Sequence, residues 1–511
     1  MSGTKVNLLA NFAGVGWSAL MQLAFIPLYI KFMGIEAYGL VGFYVTLLGV
    51  LQILDFGLST TMNREMARYS VQPEKASEAR DFVRTLEVGY WAIGVVIGAA
   101  LLAAAPFIAT HWIKAGTIPV SAVQQAVMTM GAVAAVQWPL SFYEGGLLGL
   151  QRQALLNGLK IAMSTLSSGG TVLILWLLSP TITAFLSWQV LTSAIYVTLI
   201  TVFLWRSLPP SGRAPRFNPD LIRNVWRFAA GMSGITVSAV ILTELDKVIL
   251  SKLLSLRMFG YYALAGVVGK WLYVLITPVF NTIFPRFSAI ATTGNEEMLR
   301  SLYHRSSQLM AVLTLPVALV VALFSYDLLL LWTGSAETAR NAAPIASVLV
   351  IGTALNGLMN LPYALQLAHG WTSIGLRINT FFIITLVPAI FFMAARYGAV
   401  GAATVWAALN AVYMLVGVPL THRRLLKGET RRWFTEDVGL PLVGAILAAW
   451  VGRELVGNPK QLSMVAASLS AVFLGVLATT TLAAPQMRSL ALRQLSRLWT
   501  VYGTPNRHTV K

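Results

Sequence analysis

The sequence predicts an all-α, polytopic membrane protein, and three observations predict it. Of 511 residues, 57% are hydrophobic and only 11% are charged, less than half the charged share of a soluble domain. Mean hydropathy is +0.70. Apolar runs of about 20 residues, the length a helix needs to cross a bilayer, recur along the whole chain. A soluble chain this long would divide into several cores with polar surfaces between them. There is too little polar residue here to cover such surfaces. Cysteine is absent, which excludes disulfides, thiolate chemistry and zinc–cysteine sites.

Fourteen spans follow in order, and basic residues punctuate them. Spans near 6–30 and 37–59 lie between Lys5 and a loop holding Arg64, Arg68, Lys75, Arg80 and Arg84. The first run starts near Val6 and is long enough to span, so it is expected to stay as the first helix. Spans 86–110 and 120–143, with Lys114 between them, lead to Arg152. Spans 154–178 and 181–205 lead to Arg206, Arg213, Arg216, Arg223 and Arg227. Next come 228–252 and 258–283, followed by Arg286, Arg300 and Arg305. Spans 308–332 and 341–366 lead to Arg377, and 373–395 and 398–420 lead to Arg423, Arg424, Lys427, Arg431 and Arg432. Spans 438–456 and 462–484 precede a basic tail ending at Lys511.

With the N-terminus inside, twenty-six of the 37 Lys and Arg fall on inner segments and eight on outer ones. The positive-inside rule then places both termini in the cytoplasm. It also accounts for the net charge of +18: basic inner loops meet anionic lipid. The basic residues are scattered over many short loops, so membrane lipid is the expected partner and nucleic acid is not.

A repeat runs through the chain. Gly34–Leu51, GIEAYGLVGFYVTLLGVL, matches Ser255–Leu272, SLRMFGYYALAGVVGKWL, with Tyr38-Gly39 opposite Phe259-Gly260 and Arg64 opposite Arg286. LQRQALLNGLKI (150–161) matches LAHGWTSIGLRI (367–378), which sets Lys160 opposite Arg377. The matches keep order and spacing, and they imply two six-helix halves and an appended pair. The expected organisation is an N-terminal lobe (1–206), a basic linker (207–227) and a C-terminal lobe (228–421). A basic loop (422–437), the helix pair 13–14 (438–484) and a basic tail (485–511) complete it. An offset of six helices is even, so the halves run the same way through the membrane. They are related by a pseudo-two-fold along its normal, the parallel-repeat arrangement of secondary transporters.

The stretches NFAGVGWSALMQLAFIPLYIKFMGIEAYGLVGF, ILDFGLSTTMNREMARYS, LLGLQRQALLNGLKI and LDKVILSKLLSLRMFGYYALA carry a resemblance. Over about residues 7–420 the chain resembles the polysaccharide-transporter branch of the MOP flippase superfamily, the Wzx-type exporters of lipid-linked sugar repeat units. The resemblance implies a MOP/MATE-like fold of two six-helix lobes around a V-shaped cavity that opens alternately to each side. It further implies an undecaprenyl-pyrophosphate-linked oligosaccharide as substrate, a bacterial plasma-membrane location and polysaccharide-assembly partners. No cofactor is implied.

Charges inside the spans are the candidate site. In TELDKVIL (243–250), Glu244 and Lys247 form an i,i+3 pair with the acid on the favourable side. Asp246 lies about 100° from Lys247 on a helix of 3.6 residues per turn, so it is expected to meet another helix or a wet cavity. Either the three residues are structural, or they line a cavity wall with Asp246 as a proton carrier. Asp327 and Glu244 are further ion-coupling candidates. Lys270 stands about twelve residues from either end of its span, roughly 18 Å deep at ~1.5 Å per residue, with no acid three or four positions away. It is expected to face the interior or water, and Gly266 and Gly269 suggest close helix packing beside it. GVVGK lacks the first glycine and final Ser/Thr of a phosphate-binding loop, having Leu264 and Trp271 there, so no ATP site is read. Lys160 and Arg377 either snorkel to inner headgroups or line the cavity mouth, and Arg64 and Arg286 form a second such pair. Asp55 (a partner for Arg64 or Lys160) and Glu144 read as helix-packing acids. Pro27 is expected to kink helix 1 and is a hinge candidate. No metal site is read.

Cations in excess of acids are what a pyrophosphate headgroup requires, Arg offering a fork and Lys a point charge. The expected function is an ATP-independent flippase that moves lipid-linked oligosaccharide outward by alternating access. The rival within the superfamily is a MATE-type multidrug/cation antiporter, which would need an acidic cavity. A membrane glycosyltransferase or ligase would need paired catalytic carboxylates or a large outer loop, and the span list leaves only short ones. The chain is therefore not read as an enzyme.

Overall fold

A computed structural model describes the backbone of residues 3–456 and 462–502, and side chains except those through residue 13, at 15, 73, 222–236, 239, 372–376, 379 and 462, and from 494 onward. The side chains of Lys5, Arg223, Arg227, Lys460, Arg497, Arg507 and Lys511, counted above for orientation, lie outside the described residues. Described secondary structure is helical throughout, apart from one isolated β-bridge between Lys114 and Ser255. Two compact units meet in sequence at Gly260 and Tyr261.

In the first unit the helices are α1 (Gly3–Leu51), α2 (Leu58–Tyr69), α3 (Ala76–Phe107), α4 (Val120–Gln137), α5 (Leu140–Gly149), α6 (Gln153–Leu177), α7 (Ile182–Ser207) and α8 (Pro219–Leu253). α9 (Leu256–Lys270) begins in this unit and passes into the second. The second unit continues with α10 (Tyr273–Thr293), α11 (Glu296–Leu323), α12 (Ser325–Thr333), α13 (Ala336–Ala368) and α14 (Thr372–Leu425). α15 (Thr430–Arg432) runs through a π-helical stretch, Trp433–Gly439, into α16 (Leu440–Val456), and α17 (Leu462–Ala483) and α18 (Pro485–Tyr502) close the chain.

Ten helical stretches among the described residues are long and apolar enough to cross a membrane. Two of them, Gly16–Asp55 and Thr380–Leu425, each cover two expected spans. Their breaks fall at Gly34 (φ 83°) and Gly398 (φ 61°), in the left-handed region that glycine enters without a Cβ penalty. Helical geometry persists through Pro27 and departs only at Gly34.

The repeat is visible in these breaks. Gly34 corresponds to the α8–α9 break at Leu254–Ser255, while the left-handed residues Gln151 (φ 56°) and Gly370 (φ 67°) fall in matching inter-helix turns, two positions out of register in the alignment. The break before α7 corresponds to Gly398. Three expected spans are subdivided. Pro139 separates α4 from α5, a turn at Trp271–Leu272 separates α9 from α10, and Phe324 separates α11 from α12.

Each unit has its own core. In the first, Met62, Phe82, Tyr90, Phe142, Tyr143 and Leu204 bury the contacts among α2, α3, α5 and α7. In the second, Phe287, Tyr303, Met310, Leu361 and Trp433 bury α10, α11 and α13 together with the segment that leads into α16. Burying such side chains is favourable by roughly 1.5–3 kcal/mol each relative to water, but lipid is as apolar as they are. Close packing therefore carries the helix association here, and the glycines show it. A Cβ on Gly145 would meet the Ser59 carbonyl oxygen at 2.5 Å, and one on Gly149 the Asn63 carbonyl oxygen at 2.4 Å, so α5 lies directly on α2.

Candidate functional site

In the first unit, α5 brings Glu144 to Lys160 on α6. The Lys160 ammonium donates to Glu144 Oε2 at 2.7 Å, and the Tyr196 hydroxyl from α7 donates to Oε1 at 2.9 Å. Lys160 keeps about a third of its side chain exposed. The sequence set Lys160 against headgroups or a cavity and Glu144 against a neighbouring helix, and the two meet. Asp55 pairs with neither Arg64 nor Lys160. It accepts from the Tyr90 hydroxyl at 2.5 Å and from Ser59 Oγ at 2.8 Å, because the turn ending at Phe56 (φ 47°) aims it at α3.

The charges of TELDKVIL gather on one ammonium. Lys247 Nζ lies 3.1 Å from Asp246 Oδ1 and 3.5 Å from Glu244 Oε2, and it also donates to the Thr243 carbonyl. The flexible four-carbon stem of lysine spans the angle that separates Asp246 from it on the helix. The cluster sits on α8 beside α1, where the Glu244 carboxyl carbon lies 3.1 Å from the Cβ that Gly49 lacks. Arg64 and Arg68 both engage Glu65, at 2.6 and 3.0 Å, and both keep exposed surface while Glu65 is buried.

In the second unit, Lys270 is exposed at the C-terminal end of α9, where the helix breaks before Trp271. Gly269 makes an ordinary contact with Leu349, at 3.4 Å from its missing Cβ, whereas nothing lies within 4 Å of a Cβ on Gly266. The expected close packing therefore rests on Gly269 alone. Arg286 on α10 and Arg377 on α14 are exposed. Asp327, on the separate short helix α12, is bridged to Arg453 of α16 at 3.1 Å.

Each unit thus keeps its predicted acids within bonding distance of hydroxyls or cations, while its predicted cations present exposed surface. Arg64 in the first unit and Lys270, Arg286 and Arg377 in the second are the exposed members, with Lys160 partly so. An exposed guanidinium or ammonium retains donors for an oxyanion.

Two networks escaped the sequence reading. Glu36, just past the Gly34 break, accepts from the Gly116 and Thr117 backbone N–H groups at 2.6 and 3.1 Å and from the Thr117 hydroxyl. In the second unit, His304 is fully buried. Its Nδ1 lies 2.5 Å from Asp437 Oδ2 and its Nε2 lies 2.9 Å from Glu429 Oε2. Arg300 meets Glu429 at 3.0 Å. Gln308 donates to Asp437 at 2.9 Å and accepts from the Gln486 N–H at 2.8 Å. The only sequence signal was the i,i+4 spacing of Arg300, His304 and Gln308 on one face of α11. Their partners lie more than a hundred residues away. Among the described residues no group of three or more His, Asp or Glu is placed to hold a metal ion.

A model of the family described as polysaccharide biosynthesis protein matches residues 31–337. A Shigella flexneri protein with the name "Putative O-antigen transporter" is 22% identical over 400 residues, covering 78% of this chain and 93% of that one. The solved structure of the lipid II flippase MurJ in an inward closed conformation superposes with a TM-score of 0.67 at 12% identity, covering 96% of this chain and 99% of MurJ. An inward-facing MATE multidrug transporter of the MOP superfamily gives 0.65 at 17%, covering 81% and 96%. At such identities the likeness shows the fold, which is the MOP/MATE-like transporter fold and not that of a membrane glycosyltransferase. The family model covers more than half of a multi-pass, all-helical membrane protein, and the chain belongs to the polysaccharide biosynthesis protein family.

Proposed function

We propose that the chain is a secondary transporter that flips undecaprenyl-pyrophosphate-linked oligosaccharide from the cytoplasmic to the outer leaflet of the bacterial plasma membrane, for surface polysaccharide assembly. Both termini face the cytoplasm in this reading, which the distribution of Lys and Arg supports. The two six-helix lobes work by alternating access without ATP.

The observation that carries this reading is the charge asymmetry of the site. Glu65, Glu144, Asp246 and Asp327 each lie within bonding distance of a basic side chain, while Lys270, Arg286 and Arg377 are exposed and Arg64 keeps exposed surface beside Glu65. A pyrophosphate headgroup needs such donors to leave water, and its polyprenyl tail can remain in lipid. The repeat aligns Lys160 with Arg377 and Arg64 with Arg286, so each lobe would carry cations suited to a pyrophosphate headgroup. Asp246, Glu244 and Asp327 are the residues through which an ion gradient could be coupled, and Pro27 is the hinge candidate. A cation antiporter shares the fold but would need its carboxylates available to the drug.

The test is reconstitution. Purified chain in proteoliposomes, given lipid-pyrophosphate-linked oligosaccharide on one leaflet, should expose the glycan to a membrane-impermeant glycosidase on the other face without ATP. Movement of a cationic dye but not of the glycan lipid would support the antiporter instead.

A further inference from the structure

One cavity in the first unit belongs to none of the charges discussed so far. It is an open groove of about 560 Å³ between α3, α4, α5 and α7. Val88, Val136, Val197 and Val202 give it largely apolar walls, Thr198 and Thr201 add two hydroxyls, and its floor is polar. The floor is organised by Glu87, which is almost fully buried. Glu87 Oε1 accepts from the Tyr143 hydroxyl at 2.7 Å and from the Trp205 indole at 3.2 Å, and Oε2 accepts from Arg84 at 2.9 Å. The carboxylate is therefore fixed by three donors, while Arg84 leaves 51% of its side chain exposed at the edge.

The rim says what the cavity faces. Val88, Trp91 and Val202 are 44%, 38% and 39% exposed, and α3 and α7 are both membrane-crossing candidates. An opening rimmed by bare apolar side chains on such helices meets lipid. Its depth is set by sequence. On α3 it runs from Arg84 to Trp91, about 10 Å at ~1.5 Å per residue, directly after the basic loop. On α7 it ends at Val202, one turn before Arg206. That is headgroup-to-glycerol depth in the cytoplasmic leaflet, in the orientation proposed above.

A buried anion beside a half-exposed cation matches a headgroup that carries both charges. A carboxylate has about four lone-pair sites, of which Glu87 uses three, and a guanidinium has five donors, of which Arg84 spends one here. A primary ammonium can donate to the first while a phosphate accepts from the second. A trimethylammonium has no N–H to donate, and a glycerol headgroup has no cation. We infer that this cavity is a binding site for a cytoplasmic-leaflet phospholipid with a primary ammonium headgroup, the phosphatidylethanolamine class.

The experiment is native mass spectrometry of the full chain in detergent, titrated with ethanolamine, choline and glycerol phospholipids of identical acyl chains. The wild type should retain one ethanolamine lipid about tenfold more tightly than either other lipid. Thr198→Trp, at an exposed lining position, should lose that adduct by filling the cavity with the fold intact by thermal unfolding. Glu87→Gln should reduce the preference for ethanolamine over choline to near one. Equal binding of the three lipids, tighter binding of the glycerol lipid, or an ethanolamine adduct unchanged in Thr198→Trp would overturn the assignment. Binding in detergent requires no transport, so the result stands apart from the flippase reading.

Discussion

Gly39 on α1 and Gly260 on α9 hold the two copies of the repeated aromatic–glycine pair backbone against backbone. A Cβ on Gly39 would lie 2.3 Å from the Leu256 carbonyl oxygen, and a Cβ on Gly260 would lie 2.3 Å from the Ile35 carbonyl oxygen. Ile35 and Leu256 occupy the same position in the repeat, so the contact is reciprocal. Lys114 reinforces it, its carbonyl accepting from the Leu256 N–H at 2.8 Å. Because the neighbours are backbone atoms, they cannot swing aside. Gly39→Ala and Gly260→Ala should each destabilise the chain by about 1–3 kcal/mol, the cost of overpacking, whereas Gly266→Ala, into open space, should cost nothing measurable. Thermal unfolding in detergent reads the difference.

Lys160 has two roles to separate, partner of Glu144 and ligand for cargo. The pair is about a third exposed on the lysine side, so its loss should cost no more than about 1 kcal/mol. Lys160→Met should nevertheless reduce glycan-lipid flipping by an order of magnitude or more. The double variant Glu144→Gln/Lys160→Met should restore stability without restoring transport. Recovery of transport in the double variant would make the pair purely structural.

The His304 network should hold the last helices to α11. Removing one member of a buried charged group costs about 3–5 kcal/mol. His304→Ala should therefore raise hydrogen exchange in the 430–440 segment and around Gln486 well before α13 or α14 opens. Uniform exchange across the second unit would show that the network is not a local fastening.

Lys247 balances two carboxylates at once. Lys247→Met should leave Glu244 and Asp246 without their shared cation and lower expression and thermal stability. Lys247→Arg, which keeps the charge, should retain most of both. A variant in which Met is as stable as wild type would show that the acids find other donors.

The sequence carried the architecture through signals that need no partner. Hydropathy located the helices, and the spacing of Tyr38-Gly39 and Phe259-Gly260 revealed the repeat, because both are properties of local chain. It also singled out Asp327 and Lys160. Their partners, Arg453 and Glu144, were not legible, since which faces of two helices meet depends on packing. The left-handed Phe56 and Gln151 gave no warning either, being non-glycine residues in turns whose shape is set by neighbouring helices. For the same reason Asp55 turned toward Tyr90 and Ser59 rather than toward a cation. The networks around Glu36, Glu87 and His304 join residues separated by as many as 178 positions, and no periodicity reports such pairings.

The most direct test of the central claim is the rate at which Lys270→Ala moves lipid-pyrophosphate-linked oligosaccharide in proteoliposomes, beside Lys270→Arg and the wild type. If exposed cations receive the pyrophosphate, the alanine variant should flip at least about tenfold more slowly, the loss of one charge-assisted contact, with arginine restoring most of the rate. Wild-type flipping by the alanine variant would contradict the account.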